Sequence, residues 1–301
     1  MKTPQKLLKG DCIGIICPSG FMELKKVNKA IITLETWGYK VRVGKTVGNQ
    51  HNYFSGTDDE RLEDLQQMLD DKNIKAIFCA RGGYGLTRII DKINFTKFKK
   101  NPKWIIGYSD ITLLQSHIFR QYKIATMHSP MAAAFNEKGD KNIYIQSLQK
   151  AFVDKKANYK IAANELNSLG TSEGVLIGGN LSLIIHTIGT SSQYSFKNKI
   201  LFIEDIGEYI YNVDRMLLQL KRAGFLKDLK GLIIGGFTDM KDTIIPFGKS
   251  VYEVIREHVA EYNYPICFNF PVGHQTENYV LKIGCHYKLS VTKNRTNLKE
   301  Q

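Results

Sequence analysis

Ser109 stands where two patterns meet. The buried-looking strand Lys103-Trp104-Ile105-Ile106 leads into Gly107-Tyr108-Ser109-Asp110, and an apolar-periodic helix follows from Ile111 to Tyr122. A serine on a sharp strand-to-helix turn presents its hydroxyl above the end of a sheet. There the first free N–H groups of the helix can meet an oxyanion formed on an attacked carbonyl. Serine is also among the best N-cap residues, so helix capping is the competing reading. The motif departs from Gly-x-Ser-x-Gly because Ile111 occupies the place of the second glycine.

A nucleophilic serine needs a base and a group to orient it. His274 lies in Phe270-Pro271-Val272-Gly273-His274-Gln275, just past a strand-like run, in a loop whose path Pro and Gly restrict. The remaining histidines (His51, His117, His128, His186, His258, His286) lack metal-ligand spacing, so no metal is expected. Glu204 and Asp205 end the apolar run Ile200 to Ile203, and either carboxylate can accept an imidazole N–H. The chain order Ser109, Glu204, His274 is the nucleophile-acid-base order of many serine hydrolases on α/β scaffolds. Arg81-Gly82-Gly83-Tyr84-Gly85 follows the strand-like Ile74 to Cys79 and matches neither a P-loop nor Gly-x-Gly-x-x-Gly. Its glycines suit either a tight turn or a nest of N–H groups around a negative oxygen, and Arg81 beside them can pair with a carboxylate.

The elements that must position these residues fall into two halves. Strand patterns at Cys12 to Ile16, Lys40 to Val43, Ile74 to Cys79, Trp104 to Ile106 and Ile124 to Met127 alternate with helical ones. Leu24 to Trp37 stops at Gly38, and Thr57 with Glu60 forms a capping box that opens a helix running to Leu69. This predicts a doubly wound parallel α/β domain over residues 1–150. Residues 151–172 are polar and read as a linker. Residues 173–301 predict a β-rich α+β domain that carries the acid and the base. Its strands are expected at Gly174 to Ile177, Ile200 to Ile203, Leu232 to Ile234, Ile266 to Phe270, Tyr279 to Ile283 and Tyr287 to Val291. Helices are expected at Asn212 to Ala223 and Gly248 to Tyr262, and a frayed tail from Thr292 to Gln301. Ligands favour domain seams and the carboxyl ends of parallel strands, which places the expected active site at the seam beside Ser109.

Composition bounds the function. With 301 residues, 43% hydrophobic, a substantial core is expected, and no run approaches a membrane span or a secretory leader. A cytoplasmic location follows as the expectation. The five cysteines include no Cys-x-x-Cys pair and sit mostly in strand-like runs, so disulfides are not expected. The net charge of +13 invites a nucleic-acid reading, but the lysines are scattered, not interleaved with aromatics, and no nucleic-acid-binding motif accompanies them. Excess positive potential suits instead a small substrate with several carboxylates. A non-catalytic α/β module whose Gly-rich loop holds an anion is the alternative from another class.

Six ordered motifs bring these residues together: Gly10-Asp11-x-Ile13-Gly14-Ile15-x-x-Pro18-Ser19, Arg81 to Gly85, Gly107 to Asp110, Gly178-Gly179-Asn180-Leu181, Phe202 to Asp205, and Gly273-His274. From residue 10 to about 284 the chain resembles the LD-carboxypeptidase family, the serine peptidases of the muramoyltetrapeptide carboxypeptidase and microcin-immunity type. The resemblance implies Ser109 as nucleophile, His274 as general base and Glu204 as its orienting carboxylate. It also implies an oxyanion hole from the backbone N–H groups of Gly83 and Asp110, and substrate contacts at Arg81, Gly82 and Tyr84. The implied reaction removes terminal D-alanine from a cytosolic murein tetrapeptide during peptidoglycan recycling, without a cofactor, in a homodimer. The microcin-immunity branch cleaves an amide in aminoacyl- or peptidyl-nucleotide antibiotics, and the lack of a long insertion here favours the murein branch.

Overall fold

The computed structural model describes residues 1–136 and 141–301. The chain divides into two compact units, Met1–Lys155 with Tyr279–Lys282, and Lys156–Asn278 with Ile283–Gln301.

The first unit is doubly wound. Strands β1 (Cys12–Ile16), β2 (Lys40–Val43), β3 (Ile74–Cys79), β4 (Trp104–Ile106) and β5 (Thr126–His128) pair in parallel in the order β2-β1-β3-β4-β5. Helices α1 (Leu24–Thr36), α2 (Asp58–Asp70), α3 (Thr96–Lys100), α4 (Ile111–Tyr122) and α5 (Ile143–Phe152) complete it. β4, and β3 from Ala76 on, read as unbroken apolar runs because a parallel sheet covered on both faces buries both sides of its strands. The capping box opens α2 as expected: Thr57 accepts the Glu60 amide and Glu60 reaches back to Thr57 N. Burial of Leu65, Met68 and Leu69 on one face then contributes roughly 1.5–3 kcal/mol per side chain to holding α2 on the sheet. The chain leaves β1 toward β2 and returns on the other side as β3, so the loops after β1 and β3 diverge at a topological switch point.

The second unit is built on a mixed sheet. It comprises β6 (Asn158–Ala162), β7 (Gly170–Asn180), α6 (Leu181–His186), β8 (Lys199–Ile206), α7 (Ile210–Arg222), β9 (Gly231–Thr238), α8 (Val251–Val259) and β10 (Ile266–Cys267). β11 (Leu281–Ile283) interrupts this series, and β12 (His286–Val291) with β13 (Arg295–Glu300) completes it. β7 to β10 run parallel, whereas β7, β12, β13 and β6 pair antiparallel.

Several expectations are corrected here. The polar stretch 151–172 contains β6 and the start of β7. An edge strand with alternating exposure reads as polar because water covers one edge and one face. The tail expected to fray is β13, paired on both sides, with Thr296 and Leu298 fully buried. Leu298 is the only apolar residue in β13, so the backbone ladder and two neighbouring strands order a segment that hydrophobicity alone does not mark. The strand near Tyr279 to Ile283 is shortened to β11, and it lies at the edge of the first unit's sheet rather than in the second half. Ile266 to Phe270 pairs only over β10, and α6 adds a short helix that periodicity missed. The five cysteines are free. No described helix is long and apolar enough to cross a membrane.

Candidate active site

In the first unit the loops after β1, β3 and β4 converge around Ser109. Ser109 has φ 65°, in the left-handed region, and is half-buried. A non-glycine residue held there costs on the order of 1–3 kcal/mol and persists only where its surroundings dictate it. Helix α4 begins at Ile111 with Asp110 as its N-cap, and the amide of Thr112 bonds the Ser109 carbonyl at 2.9 Å. Ser109 therefore forms the elbow before the cap and is not the cap itself. Gln115 Nε2 fastens the turn, donating to the carbonyls of Gly107 (2.9 Å) and Met127 (2.8 Å).

The Gly-rich loop passes directly over this elbow. A Cβ on Gly82 would lie 2.8 Å from Ser109 Cβ, 3.0 Å from Ser109 Oγ and 3.2 Å from the Asp110 amide nitrogen, so only glycine lets the backbone come so near. The Gly20 amide bonds the Gly82 carbonyl at 3.0 Å, tying the loop after β1 to the loop after β3. Gly83 and Tyr84 follow on the exposed side, and Arg81, also exposed, donates to the Phe21 carbonyl at 2.6 Å. Arg81, Gly82, Gly83, Tyr84, Ser109 and Asp110 thus share one end of one sheet. Sequence reasoning missed Ser19 as a functional position and Arg61 altogether; both are fully buried beneath this loop. The available signal was a charged residue on the apolar face of α2, in register with Leu65 and Met68.

In the second unit β8 delivers two successive acids. Strand alternation sends them to opposite faces, and the register shift between Ile203 and Asp205 marks the spot. Glu204 is fully buried, and its Oε2 accepts from His274 Nδ1 at 2.6 Å and from the His274 amide at 3.2 Å. Asp205 instead accepts from Asn180 Nδ2 at 2.7 Å and from the amides of Ser182 and Ile206, both at 2.9 Å. The choice the sequence left open falls on Glu204 as the partner of His274. Since a carboxylate only accepts, Nδ1 carries the proton, and in the neutral ring Nε2 carries the lone pair. Gly273 has φ 117°, and a Cβ there would lie 2.7 Å from Glu204 Cβ, so glycine is required for both the turn and the contact. Asn278 Oδ1 accepts the Gly273 amide at 3.1 Å, and Thr238 Oγ1 bonds the His274 carbonyl at 2.8 Å, which pins the loop.

Electrostatics follow from burial. Desolvation pushes His274 down, but the charge and hydrogen bond of Glu204, with Asp205 behind it, outweigh that and leave its pKa raised. Asp205 is pushed up to about 7, first by burial and then by the charge of Glu204.

Two family models match the chain. The LD-carboxypeptidase N-terminal domain covers residues 13–129, including the glycine loop and Ser109, and the LD-carboxypeptidase C-terminal domain covers 173–289, including Glu204 and His274. The chain belongs to the LD-carboxypeptidase family. This LD-carboxypeptidase family member is therefore a serine-type peptidase. It is 37% identical over 284 residues to the probable murein peptide carboxypeptidase of Bacillus subtilis (strain 168), covering 93% of this chain and 89% of the relative. The crystal structure of muramoyltetrapeptide carboxypeptidase from Oxalobacter formigenes matches at a TM-score of 0.87 with 27% identity, over 96% of this chain and 98% of that one. A crystal structure of an MccF-like protein from Bacillus anthracis str. Ames matches at 0.84 with 26% identity, over the whole of both chains.

Proposed function

We propose that this enzyme is a serine LD-carboxypeptidase that releases terminal D-alanine from a murein tetrapeptide in the cytoplasm, as part of peptidoglycan recycling. The observation that carries this reading is the hydrogen-bonded Glu204–His274 pair, in a family member whose Ser109 occupies a left-handed elbow under a glycine loop. Ser109 Oγ attacks the carbonyl of the diamino residue while His274 Nε2 takes its proton. The tetrahedral oxyanion rests on the N–H groups of Gly83 and Asp110. Collapse breaks the C–N bond, and His274 returns the proton to the departing amine of D-alanine. Water, deprotonated by the same imidazole, then hydrolyses the acyl-enzyme. Glu204 holds the ring and stabilises the imidazolium formed in each half-reaction.

Arg81 pairs with the free carboxylate of the leaving residue, with Gly82 and Tyr84 along the same loop completing the contacts. The catalytic unit is a homodimer, and the chemistry requires no cofactor. The test is incubation of the purified protein with an L-Ala-γ-D-Glu-diamino acid-D-Ala tetrapeptide, with mass spectrometry of tripeptide and D-alanine. Release supports the reading. Failure with both lysine and diaminopimelate at the third position, alongside cleavage of an aminoacyl sulfamoyl nucleoside, transfers the assignment to the microcin-immunity type of reaction, which the likeness to the MccF-like protein makes the second reading.

Two further expectations arise from this mechanism. Gly82→Ala places a methyl group within 3.0 Å of the nucleophile, so kcat/KM should drop on the order of 10²-fold, the cost of misplacing a reacting group by about 1 Å. Steady-state kinetics checks it; near-normal turnover would mean that the loop lifts without consequence. The base must be neutral, and the pKa of His274 is raised. As pH falls, imidazolium therefore accumulates early, and the acid limb of kcat/KM should have its midpoint above the ordinary imidazole value of about 6.5. A profile flat between about pH 5 and 8 would remove histidine from the mechanism.

A further inference from the structure

Two buried side chains of opposite charge grip the loops around the nucleophile. Arg61, fully buried on α2, uses one nitrogen, Nη1, to donate to the carbonyls of Pro18 (2.8 Å) and Gly85 (3.0 Å). Its Nε donates to the Gly56 carbonyl at 3.4 Å, its Nη2 pairs with Asp58, and its guanidinium carbon lies 4.9 Å from the centre of the Phe54 ring. Asp110, 1% exposed, accepts on Oδ2 from Ser19 Oγ (2.6 Å) and the Leu86 amide (3.0 Å), with the Gly85 amide a further donor. Both side chains therefore hold the same two segments, Pro18-Ser19 and Gly85-Leu86. Arg61 takes their carbonyls, and Asp110 takes their hydroxyl and amide hydrogens.

We infer that Arg61 and Asp110 are positioning residues, an ionic clamp that sets the distance between Ser109 and the Gly82-Gly83 backbone. The inference rests on Ser109 as nucleophile and Gly83 as an oxyanion donor. Asp110 adjoins the nucleophile in sequence, so its carboxylate is a short rigid link from the elbow to the loop that must stabilise the oxyanion. An oxyanion donor works only within a narrow range, about 2.7–3.1 Å from the developing charge. Burying charged side chains rarely stabilises a fold more than apolar packing does, so the use of Arg61 and Asp110 here points to geometry. Gly82, Gly83 and Gly85 have no side chains that could pack, so this part of the loop depends on groups outside it to hold its backbone.

The test uses Asp110→Asn, Arg61→Met and Arg61→Lys in the full chain, with rates normalised to the folded fraction from circular dichroism. An asparagine keeps one acceptor oxygen but loses the carboxylate charge that strengthens the bonds from Ser19 Oγ and the Leu86 amide. A lysine ammonium keeps the charge but lacks the planar fork that serves Pro18, Gly85, Gly56 and Asp58 together. Asp110→Asn and Arg61→Met should each lose about 30- to 100-fold in kcat, with KM for the tetrapeptide held within about three-fold, because the oxyanion exists only in the transition state. Arg61→Lys should not restore the rate. The acid limb of the pH profile should stay in place, since His274 is untouched. The Asp110→Asn/Arg61→Met double variant should lose less than the product of the two single losses, as expected of residues that fix one geometry.

Folded single variants with kcat within about two-fold of wild type overturn the clamp, as does a loss confined to KM. If these variants fail to fold, Ser19→Ala decides. It removes one hydroxyl, and a kcat drop of about five-fold or more at constant KM supports the clamp, whereas an unchanged kcat overturns it. Ser109→Ala runs alongside: activity retained there defeats the nucleophile assignment itself, a result distinct from failure of the clamp.

Discussion

Replacing Ser109 with alanine should lower kcat/KM for D-alanine release by about 10⁴-fold or more while leaving the melting temperature almost unchanged. The first half of this expectation follows from chemistry. A methyl group cannot form the acyl bond, and the catalysis that remains comes from binding and the oxyanion donors alone. The second half follows from the backbone. Alanine at φ 65° is no less strained than serine, and the helix that follows takes Asp110 as its N-cap, so no capping energy is lost. If Ser109 were merely a cap, its removal would cost about 0.5–2 kcal/mol of stability and spare turnover. Kinetics and calorimetry on one preparation separate the two, and a destabilised but active variant would return Ser109 to a structural role.

Glu204→Gln should lower kcat by about 10³- to 10⁴-fold, the effect expected when the carboxylate that fixes the tautomer of a catalytic histidine becomes an amide. Its Oε2 accepts both the Nδ1 proton and the backbone amide of His274. Glutamine that turns its nitrogen toward the ring favours the wrong tautomer, and glutamine that turns its oxygen there loses the charge that stabilises the imidazolium. Glu204 is also the chief raising influence on the pKa of His274 against burial, so the acid limb of the residual activity should move to lower pH. Asp205→Asn is the control. Its bonds go to Asn180, Ser182 and Ile206, and its loss should stay within about ten-fold, because no hydrogen bond to the imidazole changes. Equal losses at both positions, or an acid limb that does not move, would mean that Glu204 does not act through the histidine.

The first half of the fold was legible because the central strands of its parallel sheet are short, mostly apolar runs set between amphipathic helices. Thr57 and Glu60 marked the start of α2 to the residue. β6 and β13 were harder: both are polar, and they pair with each other although they are distant in sequence, which local periodicity does not register. β11 was legible as a strand, but its place in the first unit's sheet was not. β13 is the clearest case, since Arg295 to Glu300 becomes a strand because His286–Val291 and Asn158–Ala162 flank it.

The candidate site divides along the same line. Sequence alone determined the residue types: a serine on a strand-to-helix turn, a glycine loop after a strand, an acidic pair at a strand end and a histidine in a restricted loop. Each is encoded by neighbours within a few positions. Only the tertiary structure decided that Glu204, not Asp205, bonds His274, because strand alternation and the loop carrying Gly273 together determine which carboxylate the imidazole meets. It alone revealed Ser19 and Arg61 beneath the glycine loop, contributed by segments about 90 and 50 residues from Ser109. Local sequence specifies which groups a strand end presents. Which groups meet is set by long-range packing, where burial raises the cost of every unpaired charge and so selects the partners.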